Sequence, residues 1–171
     1  MKKYLSISIL LFFSLAISSC GYRLRGTQEL RSGLSTVAIM PVINKTFESR
    51  IENDLYNALV DEFAQSKNLS VVDVENADLL IAATVVAVEN YSISYSPEDK
   101  TYEYRVVMTI DAEAKEKSSG KILWRRSALQ EVEEYKASTE PLTIDRHKQE
   151  ALRRICKVLA EDMHDGLFTG F

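Results

Sequence analysis

The most constraining feature of this sequence is the segment 101–116, in which apolar and polar side chains alternate almost throughout. Side chains of a β-strand point to opposite faces in turn, so the pattern predicts a long strand with one buried and one polar face. The expected buried face comprises Tyr102, Tyr104, Val106, Met108, Ile110, Ala112 and Ala114. The expected polar face comprises Glu103, Arg105, Thr109, Asp111, Glu113 and Lys115, with Val107 as the exception. A chain that contains this segment has to build a sheet with one polar side.

Two further long strands are expected beside this one. Residues 79–88 are almost continuously apolar, which predicts a strand segment covered on both faces, and sharp alternation begins at residue 89. Turn-forming residues follow at 96–100 and 117–120, and a last strand is expected over 122–132. We therefore predict a three-strand antiparallel meander with strands of about 14 residues, against a usual strand length of about 5–6.

Two shorter strands are expected before the meander. A β-rich run over 36–40 is stopped by Pro41 and resumes up to a turn at Asn44. Residues 69–74 form the second short strand.

Apolar side chains spaced every three or four residues predict two amphipathic helices. The first starts with a capping-box sequence from Ser49 to Glu52 and is expected to end near Lys67 and Asn68. The second is expected over 142–167, with Gly166 ending it. The predicted apolar stripes are Ile51, Leu55, Leu59 and Phe63 in the first helix, and Ile144, Ala151, Leu152, Ile155, Leu159, Met163 and Leu167 in the second.

The element order β-α-β-β-β-β-α predicts an α+β fold. We expect a two-layer sandwich whose mixed or antiparallel sheet has about four to five strands, with two helices on one face. The other face of the sheet then stays polar and accessible. This domain is expected to span 36–171, after a signal peptide over 1–19 and a lipidated N-terminus and tether over 20–35.

The N-terminus has the pattern of a bacterial lipoprotein signal. Two lysines precede an uncharged apolar run over 5–17, which is shorter than the about 20 residues that a spanning helix needs. Ile17-Ser18-Ser19-Cys20 then resembles the lipobox, in which a thiol accepts diacylglycerol and small neighbours admit the peptidase. We predict that Cys20 is the lipidated first residue of the mature chain; an ordinary signal peptide with a chance cysteine is the alternative.

The predicted modification on Cys20 is an S-diacylglycerol with an N-linked acyl chain such as palmitate. Several acyl chains hold a protein firmly at a membrane. Gly21, rather than Asp, follows the cysteine. By resemblance to enterobacterial sorting rules, this favours the periplasmic side of the outer membrane.

Composition argues against several functional classes. The precursor has 21 Lys and Arg against 25 Asp and Glu, and loss of Lys2 and Lys3 brings the mature net charge to −6. An acidic domain without a basic stripe is a poor candidate for binding nucleic acid.

Cys156 has no partner for a disulfide once Cys20 is lipidated. It lies within a helical pattern of apolar residues, which predicts a small buried side chain rather than a reactive thiol.

The sequence contains no motif that predicts catalysis. Its two histidines, His147 and His164, share one predicted helix, and no His or Cys spacing matches a metal site. A phosphate-binding glycine loop and a nucleophile elbow are also missing from the sequence. We therefore predict a non-enzymatic protein that needs no cofactor or metal.

The predicted hairpin around 89–105 is the best candidate for a binding site. Tyrosine combines contact area with a polar tip, which suits interfaces, although these rings would also serve to pack under the helices. The candidate partner-binding residues are Tyr91, Tyr95, Tyr102 and Tyr104. Basic side chains at or near the hairpin are candidates for binding the phosphates of a lipid head group, with plain surface charge as the alternative. These residues are Lys100, Arg105 and Lys136.

Several segments in order resemble the LptE family of lipopolysaccharide-assembly lipoproteins. The resemblance starts at Cys20-Gly21-Tyr22-Arg23-Leu24-Arg25-Gly26 and continues through Val37-Ala38-Ile39-Met40-Pro41-Val42 and Asn44-Lys45-Thr46. Glu103-Tyr104-Arg105-Val106-Val107-Met108-Thr109, Leu123-Trp124-Arg125 and Glu150-Ala151-Leu152-Arg153-Arg154 extend it over most of the chain.

The resemblance implies a function in the outer membrane. Family members plug the lumen of the barrel protein LptD, and the pair inserts lipopolysaccharide (LPS) into the outer leaflet. Members are also described as LPS binders through basic residues near the hairpin tip and before the last helix, which here correspond to Lys100 and Lys136. The expected partners are therefore an LptD-like barrel, LPS and the membrane itself.

A periplasmic adaptor is the alternative function. The strand over 37–41 followed by a helix also resembles outer-membrane activators of cell-wall synthases. Those proteins usually carry a long Pro/Gln-rich linker after the cysteine. Here only about 15 residues separate Cys20 from the first strand, a span of at most about 50 Å.

Overall fold

A computed structural model describes residues 33–95 and 101–169 of the chain. The predicted signal peptide, Cys20 and most of the tether lie outside the described residues, as do Lys100 and the side chains of Tyr95 and Tyr102. The strands are β1 (Thr36–Ile39), β2 (Ile43–Asn44), β3 (Ser70–Val71), β4 (Leu79–Tyr95), β5 (Thr101–Glu116) and β6 (Ile122–Lys136). The helices are α1 (Ile51–Ala64) and α2 (Pro141–Thr169), and a 3₁₀ turn occupies Val74–Asn76.

The six strands form one mixed sheet, which confirms the predicted α+β sandwich. The strand order is β3-β1-β4-β5-β6, and β2 also pairs with β4. β1 is parallel to both β3 and β4, whereas β4, β5 and β6 form the predicted antiparallel meander. The sheet has one strand more than predicted because Pro41 splits the first strand into β1 and β2, which both pair with β4.

The two helices cover one face of the sheet, and the core lies between the layers. All four residues of the predicted α1 stripe are buried, as are six of the seven predicted for α2; Ile144 is partly buried. The even-numbered face of β5 from Val106 to Ala114 is buried against them. The period-two and helical patterns of the sequence therefore identify the core correctly.

Coverage of the first half of β4 differs from the prediction. Leu79, Ile81, Ala83 and Val85 are buried, but the alternate side chains are only partly covered and Val86 is 39% exposed. Both helices lie on the same side of the sheet, so no described element covers the other face of β4. The apolar run therefore does not mark a strand buried on both sides.

The start of α1 also differs from the prediction. Arg50 is the N-cap residue in a left-handed conformation (φ 68°), and no side chain caps the helix. Instead of completing a capping box with Ser49, Glu52 accepts a hydrogen bond from the Asn44 amide (2.9 Å). The helix ends at Ala64, before the predicted Lys67 and Asn68.

Two more boundaries are corrected. The predicted strand over 69–74 is shortened to Ser70–Val71, because the 3₁₀ turn takes up the end of that segment. Gly166 does not end α2, which continues to Thr169.

Bulges allow the long meander strands to bend. Their lengths are 17, 16 and 15 residues. The register between β5 and β6 shifts between the pairs Ile110–Leu129 and Ala112–Arg126, so β6 has one extra residue there. Ala128 lies in this bulge with φ 53°, and its N–H donates to the Asp111 carboxylate (3.0 Å). Such an insertion bends and twists the strand and disrupts the local hydrogen-bond ladder.

Candidate functional site

The side of the meander that faces away from the helices is the first candidate interaction surface; we call it the open face. Charged residues on neighbouring strands pair across it. Arg105 Nη2 lies 2.7 Å from Glu134, and Arg125 Nη2 lies 2.7 Å from Glu113. Nearby, the Gln130 amide donates to the Thr109 hydroxyl (3.0 Å). The open face is therefore polar, and two ion pairs neutralise four of its charges within the sheet.

Two valines, Val107 of β5 and Val132 of β6, form a short apolar strip on the open face between these polar pairs. Val107 lies opposite Val132 in the β5–β6 register and opposite Glu89 in the β4–β5 register. Val132 remains 43% exposed. Tyr91, the next residue of β4 on the open face after Glu89, is 48% exposed. A hydrogen bond to Glu89 raises the pKa of Tyr91. The strip and Tyr91 give the open face apolar contact area among its charges.

The predicted set of interface tyrosines is divided between the two faces of the sheet. Tyr91 pairs in register with Arg105 and belongs to the open face. Tyr104 faces the helices and stacks on Tyr135, with ring centroids 5.3 Å apart. The buried Tyr135 hydroxyl donates to Asn90 (2.9 Å), and burial raises its pKa. Tyr104 therefore packs at the end of the core, and Tyr91 is the described member of the set that is available to a partner.

The basic candidates also differ in their availability. Arg105 has Glu134 as an ion-pair partner. Lys136 is exposed at the end of β6, where it lies opposite Glu103 on the open face. Its backbone carbonyl accepts a hydrogen bond from the His147 ring (2.9 Å), which ties the start of α2 to this end of the sheet. Lys136 and Arg105 are thus brought together on the open face, near the hairpin end.

The loop 45–50 is a second exposed feature, which the sequence analysis missed. The Asn44 side chain organises it by accepting from the Thr46 N–H (2.9 Å) and hydroxyl (2.8 Å) and donating to the Glu48 carbonyl (2.8 Å). Phe47 projects from this loop with its side chain fully exposed. The Asn-x-Thr sequence is the available signal, because both residue types bond nearby backbone groups in turns.

Glu48 attaches this loop to α2. Its carboxylate accepts hydrogen bonds from the Lys148 ammonium and from the Gln149 amide (2.8 Å). The side chains of Lys148 and Glu48 are only 24% and 14% exposed, so this ion pair is better protected from solvent than those of the open face. Phe47 is consequently held on a loop fixed at both the sheet and the helix.

At the opposite end of the sheet, Asp78 fixes the point where the N-terminal segment enters the fold. Its carboxylate accepts from the Ser35 N–H (3.0 Å), the Thr36 N–H (3.0 Å) and the Thr36 hydroxyl (2.8 Å). These hydrogen bonds, led by that of Ser35, lower the pKa of Asp78. A shallow hollow of about 430 Å³ lies beside it, and Lys117 on its wall donates to the carbonyls of Val74 and Glu75. These polar groups hold the backbone in place.

The remaining reactive side chains are placed as structural groups. Cys156 is buried, as predicted, and burial raises the pKa of its thiol to about 12. His164, whose side chain is 14% exposed, packs between the rings of Phe63 and Phe168. Within residues 33–95 and 101–169, no group of three His, Cys, Asp or Glu side chains is arranged to hold a metal ion. None of the helices described has the length and apolar character needed to cross a membrane.

The fold is similar to that of several solved bacterial proteins, two of which are lipoproteins. Lipoprotein B from Nitrosomonas europaea has a TM-score of 0.55 at 16% identity, covering 88% of this chain and 93% of its own. Rare lipoprotein B from Shewanella oneidensis has a TM-score of 0.52 at 14% identity, covering 76% and 91%. PelC from Paraburkholderia phytofirmans, a dodecamer, has a TM-score of 0.51 at 11% identity, covering 84% and 96%.

Comparison at the level of sequence is more specific. No curated protein matches the chain. The family model described as LptE, lipopolysaccharide-assembly, matches residues 34–167. This match includes both helices almost entirely and all six strands. The protein belongs to the LptE family of lipopolysaccharide-assembly proteins.

Proposed function

We propose that this protein is a lipoprotein, anchored through Cys20 to the periplasmic side of the outer membrane, that plugs the lumen of an LptD-type barrel during LPS insertion. The observation that supports this proposal is the open face, which is polar and carries cross-strand ion pairs. The interior of an outer-membrane barrel is polar and water-filled, so a plug needs a hydrophilic surface. Membership of a lipopolysaccharide-assembly family supports a barrel of this kind as the partner.

The composition of the open face suits docking in such a lumen. Arg105 and Glu134 are 46% and 53% exposed. Because an exposed ion pair contributes little to the free energy of folding, each of these residues can pair with a charge of the barrel wall instead, with little loss of stability. Tyr91 supplies apolar area with a polar tip beside them. We expect Tyr91 and the neighbouring charges to contact the lumen, with Tyr95 and Tyr102 contributing further along the hairpin.

Direct LPS contact is the second part of the proposal. Lys136 is exposed on the open face, and Lys100 directly precedes β5 in the sequence. Ammonium groups bind phosphate through charge-assisted hydrogen bonds. Arg105 contributes when a phosphate replaces the Glu134 carboxylate. The role proposed for all three residues is binding, and no catalytic step or cofactor is involved.

Affinity purification of the full-length tagged chain from solubilised outer membranes tests the function. We expect a barrel protein to co-purify and depletion of the chain to impair barrel maturation and surface LPS. A Cys20→Ser variant serves as the control for anchoring and should leave the outer-membrane fraction. If no barrel co-purifies, the plug function is wrong, and recovery of a cell-wall synthase would support the adaptor function instead.

A further inference from the structure

The loop 45–50 presents the most exposed large apolar side chain among the described residues. Phe47 is fully exposed (107%), so packing against the rest of the fold does not shield it. The loop that carries it is nevertheless fixed, because the Lys45 N–H donates to the Val85 carbonyl (3.0 Å) and Glu48 binds α2. An aromatic side chain on such a loop loses little conformational freedom when it enters a pocket of a partner.

Leu142, at the start of α2, is a second exposed apolar side chain on the same side of the molecule. It is 86% exposed. Gln149 follows seven residues later, close to two helical turns, so both residues lie on one face of α2, about 10 Å apart along its axis. The Gln149 amide donates to Glu48, the neighbour of Phe47 in the loop. Phe47 and Leu142 therefore both belong to the helix layer, behind the open face.

The charge around Phe47 is positive. Lys45 and Arg50 are exposed in the same loop, and neither has an ion-pair partner within the part of the chain that the structure describes. The acidic residue of the loop, Glu48, is already paired with Lys148. We call the surface formed by Lys45, Phe47, Arg50 and Leu142 the helix-side patch. A complementary partner offers an apolar pocket bordered by carboxylates.

We propose that the helix-side patch docks on the wall of the barrel lumen, with Phe47 in an apolar pocket bordered by acidic side chains. This inference rests on the proposed function, in which the domain occupies the lumen. The wall then contacts the domain on two sides of the sheet, at the open face and at the helix-side patch. Two separate contacts fix the orientation of the domain. Aromatic anchors of this kind often contribute most of the affinity of a protein interface.

The position of the patch along the sheet favours the barrel wall over the lipid surface. Asp78 binds the entering backbone at Ser35, and Lys45 bonds to Val85, seven residues further along β4. At about 3.3 Å per residue, the loop lies about 23 Å beyond the entry point. The proposed anchor, Cys20, precedes Ser35 by 15 residues, so the entry point is the end of the sheet nearer to the anchor along the chain. A domain whose entry point lies at the periplasmic rim carries the patch into the lumen.

Photo-crosslinking tests this contact in the assembled protein. A photoreactive analogue, benzoylphenylalanine, replaces Phe47 in the full-length chain, and the cells are irradiated before purification. We expect an adduct with the barrel protein, identified by its mass and by peptide sequencing. The same analogue at Val74 is the matched control, because Val74 is an exposed apolar residue (38%) beside the entry point. It should give much less of this adduct.

Competition between tagged chains tests whether Phe47 contributes to affinity. The parent and a variant with a different tag are expressed together, and their ratio on the purified barrel is compared with their ratio in the membrane. We expect Phe47→Ala to lose its share at least about tenfold, as for a buried aromatic anchor, and Phe47→Trp to keep most of it. Thermal unfolding of Phe47→Ala should match that of the parent, because the side chain is exposed.

Charge reversal in the same assay tests the predicted complementarity. Lys45→Glu with Arg50→Glu should also lose its share of the barrel. Lys67→Glu with Lys121→Glu changes the net charge equally at exposed positions outside the patch and should compete like the parent.

The outcomes separate this inference from the proposed function. If the parent purifies with a barrel but position 47 cross-links to lipid, to a second copy of the chain, or no more to the barrel than position 74 does, the inference is wrong and the plug function stands. Equal competition by Phe47→Ala and the parent would overturn it in the same way. If the parent recovers no barrel, the proposed function itself fails, and this inference fails with it.

Discussion

The Cα atom of Gly166 in α2 packs directly against the indole ring of Trp124 in β6. A Cβ atom at position 166 would lie 2.7 Å from Cζ2 and Nε1 of that ring, closer than real Cβ contacts occur. The ring is largely buried and belongs to the core. Gly166 therefore sets how closely the last turns of α2 approach the sheet.

We expect Gly166→Ala to destabilise the fold, although alanine is the better helix former. In an exposed helix, alanine would be favoured by about 1 kcal/mol. Here the methyl group has to displace a packed ring, and such overpacking costs about 1–3 kcal/mol. Urea unfolding of the variant should show a lower midpoint.

Trp124→Phe provides the matched background for this test. The smaller ring leaves room at position 166, so adding Gly166→Ala to it should cost much less than in the unsubstituted protein. If the alanine destabilises both backgrounds equally, contact with Trp124 is not the reason for the glycine.

The same glycine shows where sequence analysis succeeds and where it fails. Alternation identified the buried face of β5 from Val106 to Ala114 residue by residue, because a one-residue slip would reverse every side chain. Gly166 was expected to end a helix, since glycine usually does so near a C-terminus. Its actual role depends on Trp124, which lies 42 positions earlier, and no local pattern contains that contact.

The candidate site was predictable to a similar extent. The sequence placed Arg105 on the polar face of a long hairpin, and the structure confirms it. It grouped Tyr91 with Tyr104, which the structure separates onto opposite faces. The register between strands decides which side chains of each strand face the helices, and this register shifts at three points between β4 and β5. Bulges of this kind have no simple signature in a single sequence.

Asp78→Asn should weaken the entry of the chain into the sheet. The carboxylate accepts three hydrogen bonds from Ser35 and Thr36, and an amide oxygen makes weaker ones. We expect a loss of about 1 kcal/mol at neutral pH, because the group is near the surface. Asp73→Asn is the control, because Asp73 is exposed and its side chain makes no hydrogen bond that caps the 3₁₀ turn. This variant should unfold like the parent.

The pH dependence of Asp78 has a definite sign. Its pKa in the folded protein lies below the ordinary value of 3.8, so the folded state binds this proton more weakly than the unfolded state. Its contribution to stability is therefore complete above that value and is lost as the pH falls through the lowered pKa. Unfolding midpoints measured from pH 6 down to about 2.5 should converge for the parent and Asp78→Asn. A constant gap would show that ionisation of Asp78 does not matter.

Tyr135→Phe should cost about 1 kcal/mol, since it removes the hydroxyl that donates to Asn90 and keeps the ring stacked on Tyr104. Tyr135→Ala should cost about 3–5 kcal/mol, because it also removes a buried ring. Tyr56→Phe, at a partly exposed position on α1, is the control for loss of a hydroxyl. Guanidinium unfolding monitored by circular dichroism distinguishes these losses. Equal effects of Tyr135→Phe and Tyr135→Ala would contradict a packing role for the ring.

Charge reversal at Lys100 and Lys136 should weaken LPS binding. The two proposed phosphate-binding ammonium groups are replaced by carboxylates that repel phosphate, and we expect the affinity to fall by about tenfold, or 1.4 kcal/mol. Lys67→Glu with Lys121→Glu changes the net charge equally at exposed positions outside the proposed LPS site. Binding of purified LPS to the full chain, measured at two salt concentrations, separates local contacts from the overall charge, since salt screens long-range effects first. If both pairs of substitutions reduce affinity alike, Lys100 and Lys136 act only through net charge.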